Sequence, residues 1–152
     1  MLTAKLSCAP QAAEYKIKAS TGTKYMQRTP TLVGIAGHFT GETLRLQYGK
    51  PLTVGRSRMA DFSLRRTKHY RAQSEKERDV DESAQTVSHK HFQITMYNLG
   101  SIEIKNLSPN GTALDGKPID TAVISDVAAK THELRFGLEE VLRLEMRAHE
   151  DV

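Results

Sequence analysis

Cysteine, tryptophan and long apolar runs are what this sequence has least of. Its 152 residues include a single cysteine, Cys8, with no second thiol to bridge. An oxidising compartment is therefore not called for, and the cytoplasm, or the nucleus in a eukaryote, is the expected address. No apolar stretch approaches the roughly 18 residues that a membrane-spanning helix needs. The N-terminal MLTAKLSCAP lacks the apolar segment of a secretory signal, so neither secretion nor membrane insertion is expected. Rings are scarce too, with four Phe, five Tyr and no Trp. Charge is mixed rather than one-sided. Twenty-two Lys and Arg face 18 Asp and Glu, a formal net charge of +4 and a pI near 9.2. The excess favours an anionic, phosphate-bearing partner. Because acidic residues lie among the basic ones, the basic stripe of a nucleic-acid binder is not evident.

What is present is a β texture. The first 30 residues show no sustained periodicity and are expected to form a flexible leader. From Thr31 onward, short segments alternate apolar and polar residues: Leu44 and Leu46, Leu52 and Val54, Phe92 with Ile94 and Met96, Ile102 and Ile104. Val123 with Ile124, Leu134 with Phe136, and Leu142 with Leu144 extend the pattern, each a half-buried strand. Turn chemistry separates them, at Thr40-Gly41, Gly49-Lys50-Pro51, Asn98-Leu99-Gly100, Pro109-Asn110-Gly111 and Asp115-Gly116. An all-β sandwich or barrel over residues 31–147 follows, with 148–152 as a tail. LEEVLRLEMR has helical propensity, but its alternation makes it the last strand. Residues 65–86 break the rhythm, with six Lys or Arg, five Asp or Glu, and only Tyr70 and Val80 as large apolar residues. They are expected to be a charged loop insertion, with a short surface helix as the alternative.

Three clusters border strands in a telling order: Gly55-Arg56-Ser57, then Ser88-His89-Lys90-His91, then Asn106-Leu107-Ser108-Pro109-Asn110-Gly111-Thr112. Taken singly, the first reads as a bulge with an exposed arginine and the last as a hairpin turn. Taken together, they make the sequence resemble the forkhead-associated (FHA) domain. That family's pattern is a Gly-Arg after a strand, a Ser-x-x-His before the next long strand, and an Asn-Gly-Thr turn further on. Here these are Gly55-Arg56, Ser88 with His91, and Asn110-Gly111-Thr112, and the likeness runs from about Leu32 to Met146.

The resemblance implies an all-β, eleven-stranded antiparallel β-sandwich with binding loops at one end. It implies a domain that recognises phosphothreonine-containing protein segments and performs no chemistry, without cofactor or metal, and expected to be a monomer. Arg56, Ser88 and His89 would bind the phosphate. Arg56 would be the main ligand through its planar, permanently charged fork. Ser57, Pro109 and Asn110 would meet the peptide, the Asn110 amide donating and accepting at once. Gly55, His91, Gly111 and Thr112 would be structural. His89 stands where Arg or Asn is frequent in the family, and Pro109 removes a backbone donor beside Asn110. Asn106 and Asp115 stand where Asp and Asn respectively are common, a change expected to alter turn bonding.

Rival readings recruit some of the same residues. A hydrolase would need Ser88, His91 and Asp115 together, yet no G-x-S-x-G elbow is present. A metal would have only His89 and His91, with His69 remote in sequence, and no third ligand at a motif spacing. Nucleic acid is the stronger rival, through Arg65, Arg66, Lys68 and Arg71, but only Tyr70 offers a stacking surface there.

Overall fold

The computed structural model describes residues 26–150. The leader expected at 1–30 therefore lies largely outside the described residues. Its last part does not behave as a leader, because residues 26–30 already belong to the first strand. Pro30 O accepts the Leu46 N–H at 3.0 Å. The last strand runs to Glu150, over the first residues of the expected tail at 148–152. Thr29–Arg147 forms one compact unit.

Among the described residues, eleven strands form where alternation and turn residues place them. They are β1 (Met26–Ala36), β2 (Thr43–Arg45), β3 (Leu52–Gly55), β4 (Phe62–Ser63), β5 (Phe92–Asn98), β6 (Ser101–Asn106), β7 (Thr112–Leu114), β8 (Lys117–Ile119), β9 (Thr121–Ile124), β10 (His132–Phe136) and β11 (Glu140–Glu150). One sheet has the order β9-β6-β5-β3-β4 and the other β2-β1-β11-β10-β7-β8. The expected all-β sandwich is what forms. The antiparallel expectation fails at β3 and β4, which pair in parallel, Val54 opposite Phe62 and Gly55 opposite Ser63. Asp115-Gly116 closes the β7–β8 hairpin with both residues at positive φ, 51° and 86°, as a two-residue type I′ turn requires.

Period-2 alternation sends Leu32, Val54, Ile94, Ile102, Ile104, Leu134, Leu142 and Leu144 into one shared core. The four phenylalanines gather in it. Phe39 lies 4.7 Å from Phe62 and 5.8 Å from Phe136, and Phe92 lies 5.2 Å from Phe136. Offset and tilted rings at such spacings add about 0.5–1.5 kcal/mol per pair to their area burial.

The charged segment is not the loop expected. It folds into a 3₁₀ turn (Leu64–Arg66) and three short helices, α1 (Lys68–Arg71), α2 (Glu75–Asp79) and α3 (Glu82–Gln85). Helices this short have no stability of their own, so local caps and tertiary contacts make them. Thr67 caps α1 by accepting from Tyr70 N, Ser74 and Glu77 form a reciprocal capping box on α2, and Asp81 caps α3 by accepting from Ala84 N. Leu64 and Ala84 join the core, and Tyr70 packs against it.

A buried ionic cluster ties this segment to the sheet. His38 Nε2 meets Asp81 Oδ2 at 2.7 Å and its Nδ1 meets Glu140 Oε2 at 2.9 Å. Glu140, 1% exposed, also accepts the backbone N–H groups of His38 at 3.1 Å and Phe39 at 3.2 Å. A carboxylate this deeply buried persists only with such partners. The hydrogen bond to Glu140, helped by Asp81 and opposed by burial, raises the His38 pKa above the ordinary imidazole value of 6.5. A raised folded-state value gives stability that is full below about pH 6.5 and disappears as pH climbs through the folded value. Urea denaturation of the wild type and His38→Gln from pH 5 to 9 should therefore show a stability gap that is widest at the acid end and narrows on the alkaline side. A gap that does not change with pH would mean that His38 is held uncharged.

Candidate functional site

Three connections meet at one end of the strands: Arg56–Asp61 after β3, Val87–His91 before β5, and Leu107–Gly111 between β6 and β7. Backbone bonds fasten the first two, Arg56 N donating to Ser88 O at 2.9 Å and Ser57 N to His89 O at 3.2 Å. Such closeness needs a glycine. A Cβ on Gly55 would lie 2.2 Å from His89 O and 2.9 Å from Ser88 O. The loop after β3 is braced from below, since Asp61 Oδ2 accepts from Thr53 N at 2.8 Å and the Arg66 guanidinium donates to Ala60 O.

His91 joins the second loop to the third. It is fully buried, its ring 5.1 Å from Phe136. Nδ1 accepts the Ser88 backbone N–H at 3.0 Å, which leaves the proton on Nε2, donated to Gly111 O at 2.8 Å. Burial pushes the His91 pKa below the ordinary value, and the Gly111 bond only partly offsets this. A neutral imidazole with one defined tautomer is the result.

The third loop is a Ser108-Pro109-Asn110-Gly111 turn closed by Gly111 N donating to Ser108 O at 3.1 Å. Neither Pro109 nor Asn110 has positive φ, while Gly111 has φ 87°. The turn is thus type I, with proline at its second position, rather than the type I′ hairpin that Asn-Gly alone suggests. Asn106 supports it from inside, its Oδ1 accepting from Ser108 N at 3.2 Å and Thr112 Oγ1 at 2.8 Å, and its Nδ2 donating to Ser108 O at 2.9 Å.

Ser88 and Asn110 are linked through a residue that sequence motifs did not single out. Ser108 Oγ lies 2.7 Å from Ser88 Oγ and accepts from Asn110 N at 3.0 Å. Either hydroxyl can donate to the other; where Ser108 donates, the Ser88 proton is left for an incoming oxygen. Thr86 was also missed, and its carbonyl accepts from Asn110 Nδ2 at 2.9 Å. Ser108 had a signal in its place at the head of a type I turn, whereas Thr86 ends a charged stretch with none.

Arg56 stands beside these groups. Its Nε is buried without a hydrogen-bond partner, its Nη2 lies 3.5 Å from His89 Nε2, and among the described residues no carboxylate pairs with it. Ser57 is less available, because its hydroxyl accepts from Met59 N at 3.1 Å. Pro109 and Asn110 are exposed. An open cavity of about 270 Å³ adjoins Asn110, lined also by Ala113, Pro118, Arg135 and Phe136.

The hydrolase constellation is not assembled. His91 Nδ1 holds the backbone of Ser88 rather than its hydroxyl, and Asp115 bonds His132 at 2.5 Å. Among the described residues no three His, Cys, Asp or Glu side chains are placed to share a metal ion. His69 packs on the His38 ring at 5.4 Å.

A two-sheet sandwich with three loops converging at one end defines the class as β-sandwich domains. The chain belongs to the FHA domain family, whose sequence model matches residues 52–137. FHA domains are interaction modules. Solved structures with the same fold include an FHA domain from a Chlamydia trachomatis protein, 23% identical with a TM-score of 0.55, covering 77% of this chain and 97% of that one. An FHA domain from an Arabidopsis thaliana protein is 21% identical with a TM-score of 0.57, covering 83% and 92%. The N-terminal FHA domain of S. cerevisiae Rad53p, in complex with a phosphothreonine peptide, is 17% identical with a TM-score of 0.51, covering 78% and 94%. No curated protein matches the chain.

One substitution and one NMR measurement probe the loop junction. Gly55→Ala should cost about 1–3 kcal/mol, as overpacking does, and shift the amide resonances of Ser88 and His89. His91, with its lowered folded-state value, contributes stability that is full above about pH 6.5 and falls away as pH drops through that value. Nitrogen-15 NMR should find its ring neutral, with the proton on Nε2, at pH 6.5. A doubly protonated ring at that pH would overturn the assignment.

Proposed function

We propose that this domain binds a phosphothreonine-containing protein segment, with Arg56, Ser88 and His89 on the phosphate and Asn110, flanked by Pro109 and Ser57, on the peptide backbone. The observation that carries the reading is the Arg56 guanidinium, which lies 3.5 Å from His89 Nε2 on a loop bonded through its backbone to Ser88 and has no carboxylate partner among the described residues. An arginine so placed has donors to give to a planar set of phosphate oxygens. The freed Ser88 proton adds a second donor, and the His89 ring extends the polar rim. Asn110, fixed on one side by Thr86 and backed by Ser108, keeps its carbonyl oxygen and one N–H for the ligand main chain. Peptide residues beyond that point would pass the cavity next to Asn110.

The site holds phosphate without transferring it. Neither ring nitrogen of His91 is free to take a proton from Ser88, so a base is lacking where a serine nucleophile would need one. We read the domain as a non-catalytic, monomeric binding module.

Isothermal titration with paired phosphorylated and unphosphorylated peptides tests this. Each charge-assisted hydrogen bond contributes roughly 1.5–3 kcal/mol, so Arg56→Ala should weaken binding by about tenfold to a hundredfold, with an unchanged thermal midpoint. Ser88→Ala and Asn110→Ala should each cost less. Wild-type affinity in a folded Arg56→Ala protein would show the phosphate site to be elsewhere. Oligonucleotide binding that falls steeply with salt, with no phosphopeptide binding, would instead support the nucleic-acid reading.

The ligand's own chemistry gives a further outcome. A methyl pocket is worth about 0.8 kcal/mol, so phosphothreonine should bind about fourfold tighter than phosphoserine in the same peptide. An aspartate in its place, with one charge and two oxygens, should bind poorly. Equal affinity for the two phosphoresidues would remove the methyl pocket.

A further inference from the structure

The helical segment that interrupts the sandwich ends in Thr86, and Thr86 is where three parts of the chain meet. Its backbone N–H closes α3 on Glu82 O at 3.1 Å. Its hydroxyl donates to Ser83 O at 2.6 Å and accepts from Leu138 N, in the β10–β11 turn, at 2.8 Å. Its carbonyl accepts from Asn110 Nδ2 at 2.9 Å. The turn is fitted closely around it. A Cβ on Gly137 would come within 2.8 Å of Val87 Cγ2 and 3.0 Å of Thr86 Oγ1.

The contact decides how Asn110 is presented. An amide has two faces that differ only in which end donates. A carbonyl opposite Nδ2 fixes the amino end inward and leaves Oδ1 and the second N–H for a ligand. Without it, exposed Asn110 would rotate freely, and ligand binding would have to order it.

Thr86 in turn owes its place to the ionic cluster. Asp81 Oδ1 caps α3 through Ala84 N at 3.0 Å, while Oδ2 takes Gln73 Nε2 at 2.9 Å and His38 Nε2 at 2.7 Å. Glu140 anchors His38 from β11, and the rings of His69 and Tyr70 in α1 pack against it at 5.4 and 6.0 Å. A four-residue helix cannot hold its last residue unaided, so the clamp at its start fixes the carbonyl at its end.

We propose that Thr86 is a positioning residue for peptide recognition: the Asp81–His38–Glu140 clamp holds α3 so that the Thr86 carbonyl orients the Asn110 amide toward the ligand. The effect on affinity rests on the phosphopeptide reading above, whereas the orientation of Asn110 does not. Losing the order of one such side chain should weaken binding about two- to tenfold.

The test is a double-mutant cycle read by titration with a phosphothreonine peptide and, in parallel, with free phosphothreonine, which Arg56, Ser88 and His89 would hold without Asn110. Asp81→Ala should weaken peptide binding about two- to tenfold, leave free phosphothreonine within twofold, and have little further effect in an Asn110→Ala background. An equal loss in both backgrounds, or an equal loss for both ligands, would overturn the proposal. Should Asp81→Ala fail to fold, Thr86→Val removes the hydroxyl without changing size and Thr86→Ser restores it. The valine should weaken the peptide and the serine should not. The Asn110 side-chain amide signal in nitrogen-15 NMR gives a ligand-free readout. It should shift in Asp81→Ala and Thr86→Val even if no phosphopeptide binds, and an unmoved signal would refute the clamp's hold on Asn110.

Discussion

The loop end of the sandwich depends on one buried imidazole. His91 has a donor on one nitrogen and an acceptor on the other, and it spends both on backbone, Ser88 N and Gly111 O. That single ring fixes the distance between the segment carrying Ser88 and the turn carrying Asn110. It can do so only while neutral, because a second proton would set N–H against N–H at Ser88. Burial against Phe136 supplies the neutrality. Packing thus sets a protonation state, and the protonation state sets the geometry of the loops.

Below this ring the four phenylalanines form a stiff floor. Closely packed aromatic faces resist the small rearrangements that would let loops drift. Above it, Gly55 allows the β3 loop to touch the Ser88–His89 carbonyls. Rigid base, close approach and a two-ended brace together place Arg56, Ser88 and Asn110, three residues from distant points in the sequence. None of the three is positioned by its own local propensity.

Much of this was legible in the chain because strands announce themselves by alternation, and Asp115-Gly116 by the positive φ that few other residue pairs accept. The order of Gly55-Arg56, Ser88 with His91, and Asn110-Gly111-Thr112 marked the loops that converge. The helices of the charged segment were hidden by composition, which counts too few apolar residues to pay for a core. Yet their caps were in view: Ser74 three residues before Glu77, Thr67 before Tyr70, Asp81 before Ala84. Short helices need caps more than they need apolar faces, and a reading weighted to hydrophobic pattern passes over them. Thr86 is invisible in the sequence for a different reason, since its importance lies in a partner 24 residues away, and Ser108, though marked by its turn, owes its link to Ser88 to a partner 20 residues away.

Three buried or nearly buried histidines show how partners, rather than burial alone, assign charge. His38 lies between Glu140 and Asp81, and His132 between Asp115 at 2.5 Å and Asp126 at 2.7 Å. Burial lowers both, yet hydrogen bonds to the flanking carboxylates raise each above the ordinary value. His91 has only backbone partners and goes the other way. The two carboxylate-flanked rings tie segments together and favour the protonated form; at His38 the tie also partners Glu140, whose side chain is fully buried, whereas Asp115 and Asp126 beside His132 remain partly exposed. At the loop end His91 is held toward its neutral form by burial, beside Arg56, whose charge cannot be lost. A histidine can serve as a neutral brace beside an anion site only if the structure withholds a carboxylate from it, and that is the difference between His91 and the other two.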